Sequence, residues 1–136
     1  MEKAKLEAEY GLYINGQWRP AANGDTYTAE SPADGSHLAV CAQATREDVD
    51  DAVKAAWEAF KTWKKTTPAQ RAALLNKIAD IIDANKEHLG MVESMDNGKP
   101  IRETMNVDIP LSAAHFRYFA GCILAEEGQA SVLNEQ

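Results

Sequence analysis

The sequence predicts an α+β fold in which short antiparallel strands come first and four to five helices follow. Three observations carry that prediction. The run Tyr13-Ile14-Asn15-Gly16-Gln17-Trp18 sets the strongest two-residue hairpin signal between short strand-forming stretches. From Thr45 onward, apolar residues recur at helical spacing behind recognisable N-terminal caps. Strands and helices do not alternate, so no βαβ unit can be drawn. The strands are also too few to cover the helices' apolar faces, which predicts that part of their packing partner lies outside this sequence.

Each element follows in order. Residues 1–10, MEKAKLEAEY, read as a flexible, solvated arm. Strands and turns are expected over 11–42. Asn15-Gly16 closes the first hairpin because both positions tolerate positive φ. Turns at Ala22–Asp25 and Ser31–Gly35 bracket the strand-forming Thr26-Tyr27-Thr28, and His37–Ala42 is a further strand. Helices are expected over 45–128. Thr45 caps the first, with Asp48 as its capping-box partner, and Val49, Ala52, Val53, Ala56, Phe60 and Trp63 form its stripe. Thr67-Pro68-Ala69-Gln70 opens the second, whose stripe is Leu74, Leu75, Ile78, Ile81 and Ile82, ending near Asn85. A third carries Leu89, Val92 and Met95 and stops at Gly98. Pro100 starts a new segment, which Pro110 should kink or restart with Asp108 as N-cap. The last helix sets Leu111, Ala114, His115, Tyr118 and Cys122 on one side.

The 136 residues, 45% hydrophobic and 26% charged, have the balance of an ordered domain. A net charge of −7 argues against nucleic acid or an anionic membrane as partner. No apolar run approaches the roughly 18 residues of a membrane span, and the first ten residues lack a signal-peptide core. Cys41 and Cys122 are expected as reduced thiols in a cytoplasmic protein.

Two six-residue motifs stand out, Met95-Asp96-Asn97-Gly98-Lys99-Pro100 and Phe116-Arg117-Tyr118-Phe119-Ala120-Gly121, together with the opening Ile14-Asn15-Gly16-Gln17-Trp18. In these runs and their spacing the chain resembles the aldehyde dehydrogenase superfamily, from Tyr10 to about Gly128. Ser31 stands where the family often has Asn. The resemblance implies an N-terminal part of an NAD(P)-dependent enzyme that oxidises an aldehyde to a carboxylic acid, with small aliphatic aldehydes as the parent substrates. In that family a cysteine thiolate attacks the aldehyde, hydride passes to the nicotinamide, and a glutamate activates the water that hydrolyses the thioester. The family's Gly-Gln-x-Cys, Glu-Leu-Gly-Gly, Pro-Trp-Asn-Phe-Pro and Gly-Ser-Thr runs are all absent here. No catalytic or cofactor-binding residue is therefore assigned, and the chain alone is expected to be inactive and to bind no NAD or NADP.

The resemblance also implies a structural monovalent cation on the backbone carbonyls of Glu30 and Asp96, and a substrate entrance at Leu111 and His115. The residues themselves suggest little more. Cys122 lies late in a helix, where the dipole disfavours a thiolate, and is expected to be an inert, partly buried thiol. Cys41 is expected to behave likewise. His115 and Cys122 are seven apart without a second ligand pair, so a zinc site is not expected. His37 and His88 are expected at the surface. Glu47, Asp48, Asp50 and Asp51 read as a solvated face compensating the helix dipole. The competing function is a stand-alone helical interaction or oligomerisation module, which would self-associate or bind a full-length relative through its unpartnered apolar stripes.

Overall fold

Asn15 and Gly16 adopt φ of 53° and 78°, and the hairpin they close pairs β2 (Leu12–Ile14) with β3 (Gln17–Arg19). Tyr13 and Trp18 are cross-strand partners with ring centroids 5.1 Å apart. The computed structural model describes residues 4–128 of the chain. A second sheet has the order β1-β5-β4, with β4 at Thr26–Glu30 antiparallel to β5 at His37–Ala42. Its third member, β1 (Glu9–Tyr10), runs parallel to β5, and the Val40 N–H donates to the Ala8 carbonyl at 3.0 Å. The expected solvated arm over 1–10 is thus corrected at its end, and a short parallel pair joins the expected antiparallel strands. The free edge of β5 presents unpaired backbone groups, and Ala8–Tyr10 satisfies them. The first three residues of that arm lie outside the described residues.

Helix α1 (Arg46–Trp63) starts in a full capping box. Asp48 goes further than its partner role. Its carboxylate accepts from the Thr45 N–H at 2.9 Å, the Thr45 hydroxyl at 2.8 Å and the Ala22 N–H at 3.1 Å. Arg19 reaches it from β3 at 3.1 Å and also bonds Asp51 at 3.2 Å. Asp48 is 1% exposed, so the expected solvated acidic face does not hold there. The two backbone N–H groups, from Thr45 and then Ala22, hold its carboxyl below the usual carboxylate range. Asp51 is lowered as well, first by Arg19 and then by Lys54.

Helix α2 (Pro68–Ala84) begins in a second capping box, from Thr67 and Gln70. It packs most extensively against α5 (Ile109–Leu124). The seam between them is made of alanines at seven-residue spacing, Ala72 and Ala79 on α2 with Ala113 and Ala120 on α5, all buried. Side chains this small let two helix axes approach closely. Arg117 crosses the seam to Asp80 at 2.7 Å and Asp83 at 2.8 Å. The side of α5 expected to carry Leu111, Ala114, His115, Tyr118 and Cys122 faces outward, while Ile109, Ala113 and Ala120 are buried. The α1 stripe is likewise exposed, with Val49, Val53, Phe60 and Trp63 all accessible. The reason is common to both. Small residues fit the close contacts available, and the bulky stripes find no partner among the described residues.

Helix α3 (Lys86–Asn97) stops at Gly98, which is left-handed with φ 76°. After Pro100 comes the single turn α4 (Ile101–Glu103), and then a π-helical turn over Thr104–Asp108. The Ile109 N–H donates to the Thr104 carbonyl, five residues back. Pro110 offers no N–H and its ring crowds the carbonyl four residues earlier, and the widened turn accommodates both defects without ending the helix. Asp108 is helical and makes no capping bond, which corrects the expected N-cap. Thr104, fully buried, sends its hydroxyl to the Gly90 carbonyl at 2.8 Å and so pins this turn to α3. A Cβ at Gly90 would lie 2.5 Å from the Met105 sulfur, so a larger residue there would displace the Met105 side chain.

Two outcomes are expected from this frame. Asp48→Asn removes the charge that three donors and Arg19 share, so the chain unfolds at lower temperature and lower urea at pH 7. Because the folded carboxyl is held below its unfolded value near 4, its stabilisation is complete above that pH and fades as pH falls through the folded value. The gap between wild type and Asp48→Asn in unfolding titrations therefore closes under acid; a gap unchanged at pH 2 contradicts the assignment. Gly98→Ala forces a side chain into the left-handed region at about 1–2 kcal/mol and sets its Cβ 2.9 Å from the Pro32 ring. Urea unfolding is expected to show at least that loss.

Candidate functional site

The first six-residue motif closes α3 beside the π turn, while the second lies on α5 against α2. At the end of α3, the Ser94 hydroxyl donates to the Lys99 carbonyl at 2.6 Å, and the Lys99 N–H donates to the Asn97 side chain at 2.8 Å. The Lys99 ammonium then reaches across to the half-buried Asp108 on the π turn. That hydrogen bond raises the lysine above its ordinary value. The motif Asp96–Pro100 is thus a tightly tied corner, and Asp108 serves as its ionic anchor. Sequence reasoning missed this role; the signal available was a helix forced through Pro110, which leaves the preceding aspartate free to look outward.

On the other side of α3 lies a cavity of about 300 Å³, walled by Leu38 and Cys41 of β5, Tyr10 of β1, and Leu89, Val92 and Asp96 of α3. Cys41 is half-buried on that wall. Its cross-strand partner is Tyr27, and the neighbouring Cys41 side chain is the leading reason the phenol titrates above its usual value. His88, expected alone at the surface, is exposed at the rim of this cavity. No hydrogen bond joins it to Cys41 among the described residues. The wall thus holds a thiol, an imidazole and a carboxylate without the base–nucleophile contact that thiol catalysis uses.

The other expected positions spread over the surface. Glu30 is exposed at the end of β4, beside a register shift, with His37 as its cross-strand partner. The next turn carries Pro32, whose ring lies against Gly98, so the Glu30 and Asp96 segments are neighbours. Leu111, His115 and Cys122 lie on the outward side of α5. Cys122 is exposed, not partly buried as expected; the alanine side of its helix takes the buried position instead. No three His, Cys, Asp or Glu side chains gather as a metal site among the described residues. No described helix is long and apolar enough to cross a membrane.

A dinucleotide would need a glycine-rich turn at an open helix N-terminus, where free N–H groups meet its phosphates. The long helices α1 and α2 do not offer one, because capping boxes from Asp48 and Gln70 close their N-termini. Those two N-termini therefore do not fit that cofactor.

Comparison with known proteins gives the context of this geometry. The model of the aldehyde dehydrogenase family matches residues 18–136. The chain is 48% identical over 130 residues to the acetaldehyde dehydrogenase of Pseudomonas aeruginosa, covering 96% of this chain and 26% of that protein. It is 44% identical to a long-chain-aldehyde dehydrogenase of Acinetobacter, covering 98% of this chain and 26% of the relative. Among solved structures, PnpE in complex with nicotinamide adenine dinucleotide aligns with a TM-score of 0.88 at 41% identity, over 92% of this chain and 26% of that one. The NAD+ complex of an aldehyde dehydrogenase from Bacillus cereus aligns with a TM-score of 0.88 at 35% identity, over 98% and 29%. The sequence thus spans about a quarter of the length of the curated relatives it matches. From its corner motifs to its fold, this chain belongs to the aldehyde dehydrogenase family.

Proposed function

We propose that this chain is the opening segment of an NAD(P)-dependent aldehyde dehydrogenase and that by itself it catalyses nothing. The observation that carries the reading is the pairing of near-complete coverage of this chain with about a quarter of each relative. In the complete protein an aldehyde and water become a carboxylate while a nicotinamide accepts hydride. The nucleophilic cysteine, the glutamate and the dinucleotide cradle all belong to sequence this chain does not contain. What it contributes is scaffold: the tied corner at Lys99–Asp108 fixes where α5 begins, and the alanine seam fixes its rotation.

Two finer roles belong to the same reading. The outward side of α5, with Leu111 and His115, forms part of the substrate entrance; its support is that this side is exposed and carries apolar and aromatic groups. The backbone carbonyls of Glu30 and Asp96 hold a monovalent cation in the complete protein, supported by the contact of the Pro32 ring with Gly98. The substrate is an aliphatic aldehyde. Its length is set elsewhere, since relatives of equal coverage are named for acetaldehyde and for long-chain aldehydes.

The test compares the purified 136-residue chain with a chimaera in which it replaces the matching stretch of the Pseudomonas aeruginosa relative. Reduced nicotinamide is followed with acetaldehyde and NAD+ or NADP+. The chimaera is expected to form it and the chain alone to give only the blank rate. Aldehyde-dependent turnover by the chain alone overturns the proposal.

A further inference from the structure

Glycine follows asparagine at three places in the chain, Asn15-Gly16, Asn23-Gly24 and Asn97-Gly98. Such pairs are prone to lose the side-chain amide, because glycine has no Cβ to obstruct its own backbone nitrogen. All six residues are exposed, so water reaches each pair and exposure does not rank them. Hydrogen bonding does. At Asn97 the Gly98 N–H donates to the Ser94 carbonyl at 3.1 Å, and the side-chain oxygen accepts from the Lys99 N–H at 2.8 Å. At Asn23 the Gly24 N–H donates to the Ala21 carbonyl at 2.9 Å. The Asn23 amide is itself tied to Asp25, donating to its carboxylate at 2.6 Å and accepting from its N–H at 3.0 Å. Asn15 differs. Among the described residues, neither its side chain nor the Gly16 N–H makes a hydrogen bond. The two-residue turn is the reason: Ile14 and Gln17 pair around it, which leaves the central residues without partners.

We propose that Asn15 is a self-modifying site, at which the folded chain converts asparagine to aspartate and isoaspartate. The Gly16 nitrogen gives its proton to hydroxide and forms a bond to the Asn15 side-chain carbonyl carbon. The bond from that carbon to Nδ2 breaks, and the nitrogen leaves as ammonia with a proton from water. Water then opens the cyclic imide at either carbonyl, leaving a carboxylate and restoring the backbone N–H. Opening at the main-chain carbonyl routes the backbone through the side chain and lengthens it by one atom. In so tight a turn that atom works against the Tyr13–Trp18 pairing and displaces Arg19, which reaches Asp48 from the end of β3.

Ageing the purified chain tests this. It is incubated in mildly alkaline, oxygen-labelled water, folded and in urea, and each asparagine is read by peptide mapping. In the folded chain Asn15 is expected to convert about tenfold faster than Asn23 or Asn97, which must first break their hydrogen bonds. In urea, where those bonds are lost, the three rates are expected within about threefold of one another. Asn15→Gly keeps a residue suited to positive φ and should remove most of the acidic form seen on isoelectric focusing. Comparable rates at the three sites in the folded chain overturn the proposal. So does a tenfold order that persists in urea, since flanking sequence would then be its cause. The isolated isoaspartyl form is expected to unfold at lower urea than Asn15→Asp, which carries the charge without the extra atom. Equal midpoints overturn the displacement of the hairpin.

Discussion

A buried carboxylate is expensive unless donors surround it, and Asp48 is surrounded on three sides. The cap of α1 supplies Thr45, the turn after the hairpin supplies the Ala22 N–H, and β3 supplies Arg19. These three segments do not otherwise share an extensive apolar core, so one ionised side chain sets their mutual position. That arrangement explains why α1 is held at its N-terminus while its remaining turns stand largely free. It also explains the character of this end of the molecule: polar bonds with directional geometry do the positioning that large side chains perform in an ordinary domain core.

The other end works by close contact. Alanines on α2 and α5 bring two helices together, and Gly90 lets the π turn lie on α3 closely enough for the Thr104 hydroxyl to reach a backbone carbonyl. Pro110 is compatible with this because the π turn widens the helix at the place where the proline has no N–H to give. Lys99 and Asp108 close the corner from outside. The two ends differ in chemistry and agree in result, since each fixes a helix origin and leaves bulky residues unburied.

That distribution is the unusual feature of the chain. Among the described residues, the buried apolar ones are alanines and one isoleucine, Ile109, whereas Trp57, Phe60, Trp63, Tyr118 and Phe119 are exposed. A self-sufficient domain places its largest apolar groups inside. Here the small residues pack within the segment and the large ones face away from it, which is the arrangement expected of one layer of a larger fold.

Much of this was legible in the sequence. Local chemistry specified the Asn15-Gly16 turn, both capping boxes and the Gly98 stop, because each depends on a few neighbouring residues and on φ. The two six-residue motifs identified the family for the same reason, being contiguous. Periodicity gave the helices correctly but not the direction in which their stripes point. A stripe says only that one side differs from the other, and in α5 both the alanine side and the aromatic side could have been inner. Asp48 looked like one acid in a solvated run because Ala22 and Arg19 are distant in sequence. Asp108 looked like a cap because a π turn leaves no local signature. Which residues are buried, which ion pairs form and which faces stay open depend on segments far apart in the chain meeting in space, and only the tertiary structure decided those.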